Sequence, residues 1–136
     1  MKELRSLSRA ECETLLSSVP VGRLVFSEGA LPAIRPVNFL YRGGEIIVRT
    51  TRHGAMSRLN GEVVAFEADD VDPEARMGWS VVAVGWVEPV TDIDEVVMLT
   101  DPRRRPWPLG ERPHYLRIHV EILTGRQLAL AGAQPA

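Results

Sequence analysis

The chain has 136 residues, of which 45% are hydrophobic and 25% charged, the size and composition of one ordinary globular domain. Its net charge of −2, with both signs mixed along the chain, excludes the electrostatic footprint of a general nucleic-acid binder. One cysteine cannot form an internal disulfide, and no segment reaches the ~20 apolar residues of a membrane span. We therefore expect a single cytoplasmic domain over residues 1–136, with no membrane or nucleic-acid partner and a disordered tail at about 131–136.

A short helix is predicted over residues 8–19. Ser8 and Glu11 have the spacing of a capping box, and Pro20 with Gly22 stops the helical pattern. Cys12 lies on the apolar stripe of this helix, which favours a buried structural thiol over a reactive one.

Three β-branched runs follow the helix, and each is typical of a strand. They are GRLVFSE (22–28), ALPAIRPVNFLYR (30–42) and EIIVRTT (45–51). The pairs Glu28-Gly29 and Gly43-Gly44 separate them with few residues to spare, which predicts tight hairpins between antiparallel neighbours.

One or two helical turns are expected over HGAMSRLN (53–60), before two further strands at EVVAFEAD (62–69) and GWSVVAVGWVEPV (78–90). A polar loop, DDVDPEARM, is expected between these strands. The second of them is largely apolar on both faces, so each face needs a cover. A barrel interior can cover one face, and a dimer interface or a ligand can cover the other.

TDIDEVVMLTD predicts a second helix, with Thr91 and Asp94 at capping-box spacing. A proline-rich loop with Arg103, Arg104 and Arg105 comes next, either solvated or an arm that meets an anionic ligand. HYLRIHVEILTGRQLAL (114–130) alternates as a long final strand. The sequence therefore predicts a mainly β fold, a six-stranded antiparallel Greek-key-like barrel with two or three short helices.

The familiar catalytic motifs are absent, so no catalytic residue is assigned. His53, His114 and His119 do not form a metal-ligand spacing with Cys12, and no metal site is expected. Cations and hydroxyls gather after the third strand, which suits either a phosphate site or a polar strand exit. They are Arg49, Thr50, Thr51, Arg52, Ser57 and Arg58.

The order of these motifs resembles the pyridoxamine 5′-phosphate oxidase-like family of flavin-binding split β-barrels, particularly its small bacterial members. The resemblance runs from about Leu15 to Gln127. It rests on GRLVF (22–26), RPVNF (35–39), IIVRTT with GAMSRL (46–59), VVAFEAD (63–69), GWSVVAVGWV (78–87) and HYLRIHVEILTGR (114–126).

The resemblance implies a homodimer that holds FMN, or alternatively coenzyme F-420, at the subunit interface. The residues expected beside the isoalloxazine ring are Arg35, Pro36, Val37 and Asn38. Those expected at the phosphate are Arg49, Thr50, Thr51, Ser57 and Arg58. Those expected from the partner subunit are Trp79, Ser80 and Val81. Trp107, in the proline-rich loop, is expected either to cap the flavin or substrate or to pack its loop onto the barrel.

One departure from the family pattern is Met56, which stands where many relatives have a phosphate-binding lysine. The resemblance implies an oxidoreductase that transfers hydride to a small molecule. The alternative is a non-catalytic module that binds flavin, or a dimer without a cofactor.

Overall fold

The chain forms one antiparallel β-sheet whose strand order closes on itself. The computed structural model describes residues 1–51, 54–100 and 114–130. Within them lie seven strands, two α-helices and one 3-10 turn. In chain order these are β1 (Lys2–Ser6), α1 (Arg9–Leu16), β2 (Val21–Glu28), β3 (Leu31–Arg42), β4 (Glu45–Thr50), the 3-10 turn (Ala55–Arg58), β5 (Val63–Asp72), β6 (Met77–Pro89), α2 (Ile93–Leu99) and β7 (His114–Ala129).

The sheet order is β1-β7-β4-β3-β2-β5-β6, and β6 also pairs with β7. That second pairing joins six strands, β2 to β7, into a ring, so the predicted mainly β, antiparallel class is confirmed. The count of six misses β1, which pairs with the C-terminal half of β7. All five residues of β1 are exposed. A strand without a buried face carries no apolar alternation, and the sequence pattern could not reveal it.

Both predicted hairpins are present with two-residue turns. Glu28 pairs with Leu31 and Arg42 with Glu45. The turn residues have positive φ, 57° and 66° at Gly29 and Ala30 and 54° and 82° at Gly43 and Gly44. Hairpin turns of this geometry match the right-handed twist of the flanking strands. They require positive φ, which glycine adopts readily because it has no Cβ.

The β5–β6 connection differs from the prediction, because the polar segment expected as a loop is mostly strand. β5 runs to Asp72 and β6 begins at Met77, which leaves only a short turn. The Asp72 carboxylate accepts hydrogen bonds from the backbone N–H groups of Glu74 (2.9 Å) and Ala75 (3.3 Å). Side-chain capping of a tight turn lets acidic residues occupy strand ends.

The core fills the inside of the ring. Leu24, Ile46 and Phe66 are fully buried, and the Phe39 and Phe66 rings meet edge to face with centroids 4.6 Å apart. α1 closes one end of the ring through residues that include Cys12, which is fully buried as predicted. Burial raises the pKa of the Cys12 thiol, so it stays protonated at neutral pH.

The capping box of α1 is confirmed. The Ser8 hydroxyl accepts from the Glu11 N–H at 3.2 Å, and the Glu11 carboxylate accepts from the Ser8 N–H at 3.0 Å. The helix ends at Leu16, earlier than the predicted residue 19. The hydroxyls of Ser17 and Ser18 bond back to helix carbonyls, an alternative to continuing the helix.

The predicted cap of α2 is wrong by one residue. Asp92, not Thr91, is the N-cap, and its carboxylate accepts from the Asp94 N–H at 2.9 Å. Val96 and Leu99 pack on a small buried cluster outside the ring, formed by Ile47, Val90 and Tyr115.

Several predictions concern residues outside the described part of the chain. They are the roles of Arg52, His53, Arg103, Arg104, Arg105 and Trp107 and the tail at 131–136. Across the described residues, neither helix has the length and apolar character needed to cross a membrane.

Candidate functional site

The two segments predicted to bind a cofactor, 35–38 and 49–51, meet at one end of the β3–β4 pair. Phe39 pairs with Val48 in the ladder. Asn38 precedes Phe39 and Arg49 follows Val48, so these two residues flank the same strand ends. The fold thus joins two motifs that are separated in sequence.

Within the 35–38 segment, Pro36 and Asn38 are exposed on the outer face of the ring, because the intervening Val37 is buried in the core. The Arg35 guanidinium lies 6.0 Å from the Phe26 ring centroid and 3.8 Å from the Glu28 carboxylate. The Asn38 amide has no hydrogen-bond partner among the residues that are described. It can both donate to and accept from a ligand.

The residues predicted to bind a phosphate fall into two groups, those whose hydroxyls already donate within the chain and those with exposed side chains. The Thr50 side chain is buried and its hydroxyl donates to the Thr51 carbonyl at 3.4 Å. The Ser57 hydroxyl donates to the Gly54 carbonyl at 2.6 Å, so its proton is already used. Thr51 and Arg58 are exposed. Of these four residues, Thr51 and Arg58 present side chains that can donate to an anion.

The side chain of Met56, at the position where the family pattern places a phosphate-binding lysine, points inward. Met56 is partly buried and packs against the main core. A cation there would have to leave that apolar environment to reach a ligand. Among the described residues, the positive charges at this end of the sheet are Arg49, which is half-buried on the outer face, and Arg58.

On β6, Ser80 is the predicted partner-side residue that faces outward. Val81 is fully buried, and Trp79, on the same side of the strand, packs against the core. The Ser80 hydroxyl donates to the Glu67 carboxylate at 3.2 Å. Side-chain contact with a ligand on the outer face is thus open to Ser80 and not to Val81.

The outer face carries an apolar row that crosses five strands. Successive cross-strand partners are Ile34, Val25, Ala65, Val84 and Ile122. The end residues Ile34 and Ile122 are 61% and 56% exposed. The sequence showed only that β6 is apolar on both faces. The strand register reveals that the apolar surface continues across four other strands, β5, β2, β3 and β7. We call these five residues the outer apolar row.

A charged row lies beside it, and sequence reasoning had no signal for it. Arg23 contacts the carboxylates of Glu67 (3.2 Å) and Asp69 (3.0 Å). Burial and the neighbouring Asp69 raise the pKa of Glu67, although Ser80 and Arg23 act in the opposite direction. The cluster is partly buried even in the single chain, with the Glu67 side chain 27% exposed.

The pKa values of Glu67 and Glu11 are shifted in opposite directions. The Arg5 guanidinium, followed by the Ser8 N–H, lowers the pKa of Glu11 from 4.5 to about 2. Its stabilising contribution is therefore present above pH 4.5 and lost as the pH falls toward 2. The raised pKa of Glu67 means that its contribution is present at low pH and lost as the pH rises through the folded-state value.

NMR titration of side-chain carboxyl carbons measures both values directly. We expect Glu67 to titrate above 4.5 and Glu11 near 2. In urea unfolding, the free energy of unfolding of Glu67→Gln should increase relative to that of the wild type as the pH rises from about 4 to 7. A Glu67 signal that titrates below 4.5 would contradict the assigned environment.

Comparisons with known proteins find a matching family model and a related protein. A family model described as pyridoxamine 5′-phosphate oxidase matches residues 8–127. An uncharacterised protein of Mycobacterium tuberculosis is 39% identical over 140 residues, covering 98% of this chain and 91% of that protein.

Solved structures show the same fold. The FAD-binding protein from Mycobacterium smegmatis superposes with a TM-score of 0.80 at 30% identity, covering 93% of this chain and 100% of that one. An FAD-binding protein from Mesorhizobium loti gives a TM-score of 0.75 at 23% identity, covering 92% and 98% of the two chains. At 23% identity, this second match supports only a shared fold.

Proposed function

Because this chain belongs to the pyridoxamine 5′-phosphate oxidase family, we propose that it is a flavin-dependent oxidoreductase. In this proposal FMN is held between two identical subunits, and hydride passes between the flavin and a small organic molecule. The observation that carries the proposal is the outer face of the ring. It brings Asn38 on β3 and Ser80 on β6 to the same level of the sheet, with β2 and β5 between them, and the outer apolar row crosses the same strands further along.

The order of the strands on that face supports the proposed homodimer. β3 and β6 lie on opposite sides of the β2–β5 pair. A two-fold axis that runs along the strands between β2 and β5 lays β3 of each subunit over β6 of its partner. This arrangement generates two equivalent sites, each with Pro36 and Asn38 from one subunit and Ser80 from the other.

The size of the face suits such an interface. Because the ring curves, a single partner faces mainly β3, β2, β5 and β6; over the eight residues of β2, four strands spaced by about 4.8 Å present roughly 500 Å² of area. A standard interface buries about 800 Å² of accessible surface per partner. Ile34, the 61% exposed residue of the row on β3, would gain most from being covered.

The residues at the β3–β4 end fit a flavin phosphate through charge. Arg49 and Arg58 supply the cations and Thr51 supplies a hydroxyl donor. The Asn38 amide can bond to a polar ring edge, and the outer apolar row excludes water from the interface. The flavin, when bound, supplies the hydride chemistry.

The second candidate is a non-catalytic module, either a flavin carrier or a dimer without a cofactor. Two observations favour the dimer without a cofactor. Met56 packs into the core where relatives have a cation, and the Ser57 proton is taken by the Gly54 carbonyl. Both reduce the number of groups that can bind a phosphate.

Flavin binding is tested by the visible spectrum of the purified protein and by titration with FMN, FAD, riboflavin and coenzyme F-420. We expect FMN to bind saturably. Arg58→Ala should weaken FMN about tenfold and leave riboflavin unchanged, because riboflavin lacks the phosphate. Arg9→Ala is the matched control, since Arg9 is exposed on α1 and pairs with Glu13.

The outcomes separate the candidates. Colourless protein that binds none of the four compounds supports the dimer without a cofactor. Tighter binding of FAD or F-420 than of FMN would identify that compound as the ligand instead. Hydride transfer is tested by reoxidising photoreduced, protein-bound FMN with quinone acceptors under anaerobic conditions. A rate no faster than that of free FMN supports a carrier rather than an enzyme.

A further inference from the structure

A cavity of about 680 Å³ lies at the end of the ring where α1 covers the sheet. It is distinct from the outer face, because its walls are inward-facing residues beyond the apolar core. Its volume is within the range of small-molecule sites, about 300–1,000 Å³. The apolar part of its lining consists of Leu7, Ala10, Leu15, Ala75, Met77 and Trp79.

A polar row crosses the floor of this cavity. Asp70 pairs with Trp79, Trp79 with Gln127, and Gln127 with Arg5 across four adjacent strands. Elsewhere in the ring, inward positions are almost all apolar. A carboxylate, an indole, an amide and a guanidinium in one row therefore stand out as groups that packing does not explain.

Internal contacts already occupy part of the row. The Arg5 guanidinium donates to Gln127 Oε1 at 3.1 Å and to both oxygens of Glu11 at 3.1 and 2.7 Å. The charges of Arg5 and Glu11 thus cancel. Three groups remain for a ligand, namely the Asp70 carboxylate, the Gln127 amino group and the face of the Trp79 indole.

The Asp70 carboxylate has no hydrogen bond or ion pair among the described residues. Asp72 adds a second negative charge at the rim, where it also caps the β5–β6 turn. With Arg5 and Glu11 neutralising each other, the cavity is left with an excess of negative charge. An anion such as a flavin phosphate is repelled there, whereas a cation is attracted.

We propose that this cavity is a second ligand site that binds a planar aromatic cation. The ring system stacks on Trp79, a protonated nitrogen group donates to Asp70, and Gln127 donates to a ligand acceptor. This site is separate from the flavin site, because the Trp79 side chain faces the cavity and not the outer face of the sheet. It does not depend on the flavin proposal.

Three probes of the same shape and different charge test the proposal. They are 2-naphthamidine, 2-naphthamide and 2-naphthoate, added to flavin-free protein and followed by ¹⁵N-¹H NMR. We expect the amidinium to bind most tightly, with saturable shifts at the Trp79 indole N–H. Asp70→Asn should weaken it about tenfold, because it removes a charge-assisted hydrogen bond and keeps the shape.

The control variant is Glu88→Gln, which removes a carboxylate on the outer face. It should leave amidinium binding unchanged, and the melting temperature of Asp70→Asn should match that of the wild type. Equal affinity for all three probes, shifts centred on Trp86, or no saturable binding would each overturn the proposal. Repeating the titration with flavin-saturated protein should give the same affinity, so failure here is distinguishable from failure at the flavin site.

Discussion

Val84→Glu is expected to convert the proposed dimer into a monomer and to abolish the proposed flavin binding. Val84 is half-buried in the outer apolar row, between Ala65 and Ile122. Burying an unpaired carboxylate costs several kcal/mol, and two-fold symmetry places two of them in one interface. We expect the dimer dissociation constant to rise by at least about a hundredfold. Sedimentation equilibrium measures it, and FMN titration follows the loss of the shared site.

The matched control for this variant is Ile93→Glu. Ile93 is also a large apolar residue, 78% exposed, but it lies on α2 and away from the row. It should leave both the dimer and flavin binding unchanged. A dimeric Val84→Glu protein, or an equal loss in Ile93→Glu, would refute the interface proposed for the outer face.

Gly85→Ala is expected to lower the free energy of unfolding by about 3 kcal/mol or more, at the upper end of the cost of overpacking. A Cβ at this position would overlap the His119 carbonyl oxygen and lie 2.8 Å from its carbonyl carbon. The register shift between Val84 and Gly85 brings the β7 backbone this close. Backbone atoms cannot rotate away, so the pairing that closes the ring must separate.

Urea unfolding measures this loss, with Gly43→Ala as the control. Gly43 has φ of 54° and open space around its Cα, so alanine there costs only the left-handed backbone penalty, about 1 kcal/mol. Equal losses in the two variants would show that steric overlap at Gly85 is not the dominant cost.

Features with local causes were predictable. The two hairpin turns depend on glycine at positive φ, and the cap of α1 depends on residues three apart, Ser8 and Glu11. The Asp92 cap was missed because Thr91 and Asp92 are adjacent residues that can both serve as an N-cap. β1 was missed because its stability comes from pairing with β7, more than a hundred residues away in sequence.

The sequence by itself determined the mainly β class, the hairpins and, through its motifs, the family. Tertiary structure decided which predicted site residues present their side chains on the outer face, because strand parity turns the side chains of Val37, Thr50 and Val81 into the core. It also decided which residues share a surface. The outer apolar row and the row from Asp70 to Arg5 exist only through cross-strand register. That register is set by long-range pairing, which no local pattern encodes.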